Sequence, residues 1–142
     1  MATFILTWHP YAFTIEAGEY LERVVDVEAQ AGRQHGRWST GQRSSGVEVG
    51  DRVFLFRQKR ERGIVASGFT TSECHQDTHW RDRRRNGNFV SIEWDCWKPL
   101  EHRLSIEVLE KRVPHFSWNH LQGSGIHLKD DDAARVEKLW TT

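Results

Sequence analysis

Residues 50–68, GDRVFLFRQKRERGIVASG, constrain this chain more than any other stretch. Val53, Phe54, Leu55 and Phe56 are apolar at consecutive positions. Successive strand side chains point to opposite faces, so such a run calls for burial on both faces. Ile64, Val65 and Ala66 supply a returning strand, and the pair reads as a β-hairpin. Between the strands, residues 57–62 form a polar loop in which Arg57, Lys59, Arg60 and Arg62 stand against one acid, Glu61. Gly50 ahead of the hairpin and Gly68 behind it suit tight turns or close backbone approach. A strand buried on both faces belongs at the centre of a barrel, and a basic loop at its end is placed to touch phosphate.

Around this hairpin the pattern predicts short strands with helices towards both ends. FILTW at residues 4–8 reads as a strand ended by Pro10. Residues 19–30 read as a helix with Leu21, Val24 and Val25 near one face. GRWSTGQRSSG at residues 36–46 has no helical or strand period and reads as a loop carrying Trp38. Residues 89–95 alternate, with Val90, Ile92 and Trp94 on one face. LSIEVL at residues 104–109 alternates as well and reads as a strand. Residues 114–125 read as a loop, 126–128 as a short strand, and the rest as a helix. Asp130 is expected to cap that helix, with Asp131 and Asp132 in its first turn and Val136, Leu139 and Trp140 on one side. The expected class is therefore α+β: a small, mostly antiparallel β-barrel with flanking helices, one domain over residues 1–142.

Formal net charge is zero, so any nucleic-acid contact must come from local patches. No segment has the length and apolarity of a membrane span. MATFILTW lacks a basic start and a cleavage site, and Cys74 and Cys96 make no disulfide framework, so a reducing cytoplasm is expected. Cys74, His75, His79 and Cys96 fit no closed zinc spacing, and neither a metal nor another cofactor is expected. No nucleophile elbow, phosphate-binding loop or clustered carboxylate set appears, and no catalytic residue is assigned.

The remaining signals are cations and indoles. Arg57, Lys59 and Arg60 form one basic group, and Arg83, Arg84 and Arg85 in RDRRR form a second; both suit contacts with a phosphate backbone. Seven tryptophans is high for 142 residues. Trp94 and Trp140 fall on apolar stripes and read as core. Trp38 and Trp80 lie in polar, irregular segments. They either cover the core from outside or sandwich a planar group such as a flipped base.

Seven segments in order, LTWHP, RWSTG, GDRVFLFRQ, RGIVASG, HW, VSIEWD and HLQGSGIHL, resemble the EVE domain of the PUA-like superfamily. The similar form is the one at the N-terminus of modification-dependent HNH restriction endonucleases. More distantly the chain resembles the YTH readers of methylated bases, with Trp38-Ser39, Trp80 and Glu93-Trp94 at matching positions. The resemblance implies a five- or six-stranded barrel that binds double-stranded DNA and holds a flipped modified cytosine, 5-methyl- or 5-hydroxymethylcytosine. Trp38 and Trp80 would wall an aromatic cage, and Ser39 would hydrogen-bond the base edge. Trp8, Gln122 and Ser124 match motifs near the pocket mouth. It further implies a prokaryotic, DNA-associated specificity domain and a fused or separate nuclease module, since no HNH module is present here. Two departures stand out: Cys74 occupies a position expected to hold a proline-like turn residue, and Arg85 is charged where YTH readers have an aliphatic cage floor. An RNA-binding PUA-like module, a methyladenine reader and a sensor of free modified nucleosides are the alternatives.

Overall fold

A computed structural model describes residues 1–12, 14–29, 34–78 and 86–142. In chain order the elements are β1 (Thr3–Trp8), α1 (Ala17–Ala29), β2 (Gln34–Gly41), β3 (Arg52–Arg57), β4 (Gly63–Thr70), β5 (His75–Thr78), β6 (Asn86–Trp97), β7 (Leu104–Ser105), α2 (Ile106–Arg112), β8 (Ile126–Leu128) and α3 (Asp130–Trp140). The strands form one curled, mostly antiparallel sheet in the order β2-β6-β4-β3-β1-β8, with β5 added on β6 and β7 on β4. Only β1 and β3 pair in parallel among these strands. This is the α+β class that the pattern predicts, a small and mostly antiparallel barrel-like sheet with flanking helices, here curled into a half-barrel.

The hairpin is the centre of that sheet. β3 lies between β1 and β4, and all six of its residues are buried. Val53 and Leu55 face one core with Leu6, Trp8, Ile92 and Trp94, covered by Tyr20, Val24 and Val27 of α1. Phe54 and Phe56 face a second core with Ile106 and Leu109 of α2, Trp118, and Val136 and Trp140 of α3. Each such side chain contributes about 1.5–3 kcal/mol on burial, so a strand that fills two cores anchors both layers. Gly68 is where β4 and β6 approach: a Cβ there would lie 2.7 Å from the carbonyl oxygen of Glu93. Gly50, at φ +91°, makes the turn into β3.

Five local expectations are corrected by tertiary context. α1 buries Tyr20, Val24 and Val27, whereas Leu21 and Val25 are 57% and 59% exposed. Residues 34–41 are a strand, not a loop, because β6 offers them a hydrogen-bonded partner that their glycine-rich period does not advertise. Only Leu104 and Ser105 of LSIEVL are extended; Ser105 then caps α2, its Oγ accepting from the Val108 amide at 3.4 Å. Asp130 is the first helical residue of α3 and Lys129 holds the cap position, with no side-chain cap; the three aspartates still occupy the positive end of the helix. Arg57 is not on a loop: it closes β3 and is 5% exposed.

Tyr20 fastens α1 to the sheet. Its hydroxyl donates to the Lys98 carbonyl, and its ring meets Trp97 edge-on at 5.7 Å. Burial pushes its pKa far above the ordinary 10.0, with Arg57 pulling in the opposite direction and Glu101 adding to the rise. In the unfolded chain Tyr20 ionises near its ordinary value, so above that pH the unfolded state binds fewer protons and stability falls as pH rises. The free-energy difference between wild type and Tyr20→Phe is expected to be flat up to about pH 9 and to shrink steadily above pH 10. Urea melts of both proteins across that range check it; a parallel pH course for the two would show that Tyr20 does not carry the effect.

Candidate base-binding cavity

Beside the end of β1 and along β2, the sheet and α1 line an open cavity of about 680 Å³. Its lining includes Thr7, Trp8, Gly36, Trp38, Ser39, Gln58, Trp94 and Ser124, with Glu19, Glu22 and Asp26 from α1. Of the six pocket residues expected, Trp8, Trp38, Ser39 and Ser124 line this one space. Gln122 is exposed and does not; its neighbours Gly123 and Ser124 do. Trp80, Arg83, Arg84 and Arg85 lie outside the described residues, as do His79 and the end of the expected first helix.

Hydrogen bonds hold the Trp38 ring in place. Its Nε1 donates to the Thr7 carbonyl at 2.9 Å, and its plane stands at 84° to that of Trp94. The hydroxyl of Ser124 completes the frame. It accepts from the Thr7 amide at 3.0 Å and donates to the Ser39 carbonyl at 2.7 Å, tying β1 to β2. Thr7 Oγ1 donates to the Gly123 carbonyl at 2.6 Å, which holds the 123–124 turn against the same strand end. Ser124 is thus a positioning residue. Ser39 Oγ accepts from the Gly41 amide at 3.0 Å, which leaves its O–H for a further acceptor.

Trp8 has a different part. It is 1% exposed, Tyr20 stacks on it at 6.1 Å, and the Arg57 guanidinium lies over its ring at 4.6 Å. It lines the cavity and is itself braced by Tyr20 and Arg57. Arg57 belongs to that support: its Nε donates to the Arg60 carbonyl at 3.0 Å, and Glu61 lies 3.9 Å away. Burial lowers its pKa from the ordinary guanidinium value, and Glu61 opposes that shift. Lys59 and Arg60 are exposed on the loop that begins with the cavity residue Gln58. Both Lys59 and Glu61 have positive φ, 74° and 44°, so this loop is held in a conformation that side chains seldom adopt.

Two residues of the site escape a reading by motif alone. Gln58 donates its side-chain amide to the Leu121 carbonyl at 3.1 Å, which closes the cavity between the hairpin loop and residues 121–124. Its place in GDRVFLFRQ is the only sequence signal for it. Arg37 leans over Phe89 at 4.3 Å and pairs with Asp77 at 2.7 Å, joining β2 to β5. The Thr78 amide, and then Arg37, hold the Asp77 carboxyl below the usual range.

No family model and no curated protein matches this sequence. Solved structures do. Protein Atu2648 from Agrobacterium tumefaciens is similar at 13% identity and TM-score 0.65, over 98% of this chain and 92% of its own. A YTH domain-containing protein, Mmi1, in complex with RNA is similar at 13% identity and TM-score 0.56, over 97% of this chain and 80% of that one. An ASCH protein from Zymomonas mobilis is similar at 7% identity and TM-score 0.56, over 96% of this chain and 94% of that one. The chain therefore has the PUA-like fold that YTH and ASCH domains share. No helix among the described residues is long and apolar enough to cross a membrane.

Proposed function

We propose that this chain is a modified-base reader of the EVE type: it binds double-stranded DNA and holds a flipped modified cytosine against Trp38. The observation that carries the proposal is the fixed Trp38 ring in a cavity of about 680 Å³, beside a serine with an O–H to give. That volume falls in the roughly 300–1,000 Å³ range of small-ligand pockets. Trp80, outside the described residues, is the second cage wall that the sequence resemblance implies. Lys59 and Arg60 hold the phosphates beside the mouth, and Arg83, Arg84 and Arg85 extend that grip. Arg57 is reassigned to support, since a guanidinium buried over Trp8 has no path to a phosphate. The domain binds and performs no chemistry of its own; a fused or separate nuclease would supply the cut in a restriction system.

The energies make discrimination modest. Stacking contributes about 1–3 kcal/mol per base, roughly offsetting an unstacking penalty of a few kcal/mol. A buried methyl then adds about 0.8 kcal/mol, and a satisfied hydroxyl about 1 more. Modification is expected to raise affinity about fourfold for a methyl and about twentyfold for a hydroxymethyl, since each 1.4 kcal/mol is about tenfold.

The test is a binding panel at fixed salt. One duplex carries cytosine, 5-methylcytosine, 5-hydroxymethylcytosine, adenine or methyladenine at a single site, and an RNA of the same sequence runs beside it. Preference for a modified cytosine is the expected result; equal binding to every DNA would sink the reader proposal. RNA is the second reading because the structurally similar Mmi1 was solved in an RNA complex. Binding of the RNA above every DNA would put it first.

A further inference from the structure

The cavity extends past Trp38 into the groove between β2 and α1. Trp38 and Trp94 meet there as two sides of a corner, ring centroids 6.4 Å apart and planes at 84°. β2 carries Gly36 at that corner. A Cβ at position 36 would lie 2.7 Å from Trp94 Nε1 and 3.3 Å from its Cδ1. The missing side chain leaves the N–H edge of Trp94 open to the cavity. Trp94 is only 2% exposed, yet its Nε1 donates to no acceptor among the described residues. Trp97 Nε1 also lacks an acceptor there but is sealed from solvent, so of these two donors it is Trp94 that aims at the open space. A buried indole N–H ordinarily finds a partner.

The α1 side of the cavity supplies acceptors. Glu19, Glu22 and Asp26 follow one another at helical spacing along the cavity face of α1. Glu19 is engaged by Arg23 at 3.2 Å. Glu22 and Asp26 pair with no cation among the described residues. One unused donor therefore lines the same cavity as two carboxylates that have no cation partner among the described residues.

We propose that this corner is a specificity subsite for the amino-bearing edge of a base. Trp94 Nε1 donates to a ring nitrogen or carbonyl oxygen, Glu22 or Asp26 accepts from the exocyclic amine, and Gly36 admits the edge. Cytosine and adenine carry an acceptor beside an amine; thymine and uracil place a carbonyl oxygen where the carboxylates stand, acceptor against acceptor. The same carboxylates repel phosphate, so the nucleic-acid backbone runs along the Lys59 and Arg60 rim and away from α1. The subsite rests on the base-cavity reading above.

The experiment compares 5-methylcytosine with thymine, which share the 5-methyl group and differ in amine against carbonyl. Each is placed opposite an abasic site in the same duplex, so neither must break a base pair. Wild type is expected to favour methylcytosine by about tenfold. Glu22→Gln combined with Asp26→Asn should narrow that ratio to within about threefold, because an amide can also donate to the thymine oxygen. Gly36→Ala should weaken both by about tenfold, because its Cβ would fill the edge that the base enters. Base-dependent binding with the wild-type ratio intact in the double variant would overturn the subsite alone. Equal wild-type binding to methylcytosine, thymine and a site lacking the base would overturn the base-cavity reading and the subsite with it.

Discussion

Trp38→Ala is expected to remove modification-dependent binding and to leave a weak grip that fades with salt. A hydrogen bond to the end of β1, Nε1 to the Thr7 carbonyl, sets the position of this ring in the cavity. Losing a stacking face forfeits about 1–3 kcal/mol, or roughly five- to 150-fold in affinity. Modification itself is worth about four- to twentyfold, a size the lost stacking face covers, so the preference should vanish. Phosphate contacts from Lys59 and Arg60 do not pass through the ring and should persist. Trp38 is also 8% exposed, so its truncation costs about 3–5 kcal/mol of stability and thermal melts must accompany the titrations. Trp38→Phe keeps a flat face and gives up only the donor; it should bind with an intermediate preference. Equal loss of modified and unmodified binding in a folded Trp38→Ala protein would count against the cage.

Arg52→Met should be the most damaging change on the face away from the cavity. Arg52 sits in β3 with its side chain 5% exposed and reaches two acids. Nη1 donates to Asp95 of β6 at 2.8 Å, and Nε donates to Glu137 of α3 at 2.5 Å. Asp95 also accepts from Ser67 at 2.5 Å, and Ser67 accepts from Trp140 Nε1 at 2.9 Å. The chain of contacts pins α3 to three strands. Removing the partner of a buried ion pair costs about 3–5 kcal/mol. Here both acids are more than a third exposed and can rehydrate, at 35% and 38%, so the lower end, about 3 kcal/mol, applies. For a chain of this size that is a fall of about 10 °C in Tm. Glu137→Gln leaves the Asp95 bond and should cost about 1 kcal/mol. A fall of only 1–2 °C for Arg52→Met would show that the apolar packing of α3 suffices without the clamp. Base-dependent binding per folded molecule should match wild type.

Much of the cavity is legible in the chain because its parts fall in compact motifs. RWSTG and LTWHP carry Trp38, Ser39 and Trp8, and HLQGSGIHL carries Ser124. What escapes is the assignment of roles. Arg57 and Arg60 look alike in a basic run, but one closes a buried strand over Trp8 and the other is 58% exposed in its side chain. Trp94 reads as core from its stripe and is core; that its N–H edge also opens to the cavity depends on Gly36, 58 positions earlier, which pairs with Ile92 and stands diagonal to it across the β2–β6 ladder.

By itself the sequence determines the central hairpin, the class of fold and the buried faces of β3 and β6. Those follow from local periodicity, since a run of apolar residues has few ways to leave water. The tertiary structure decides the rest. Whether residues 34–41 are strand or loop, which face of α1 is covered, and which cation is buried all depend on partners far along the chain. Burial and hydrogen bonding are properties of pairs, and a residue's pairs are set only when the sheet closes.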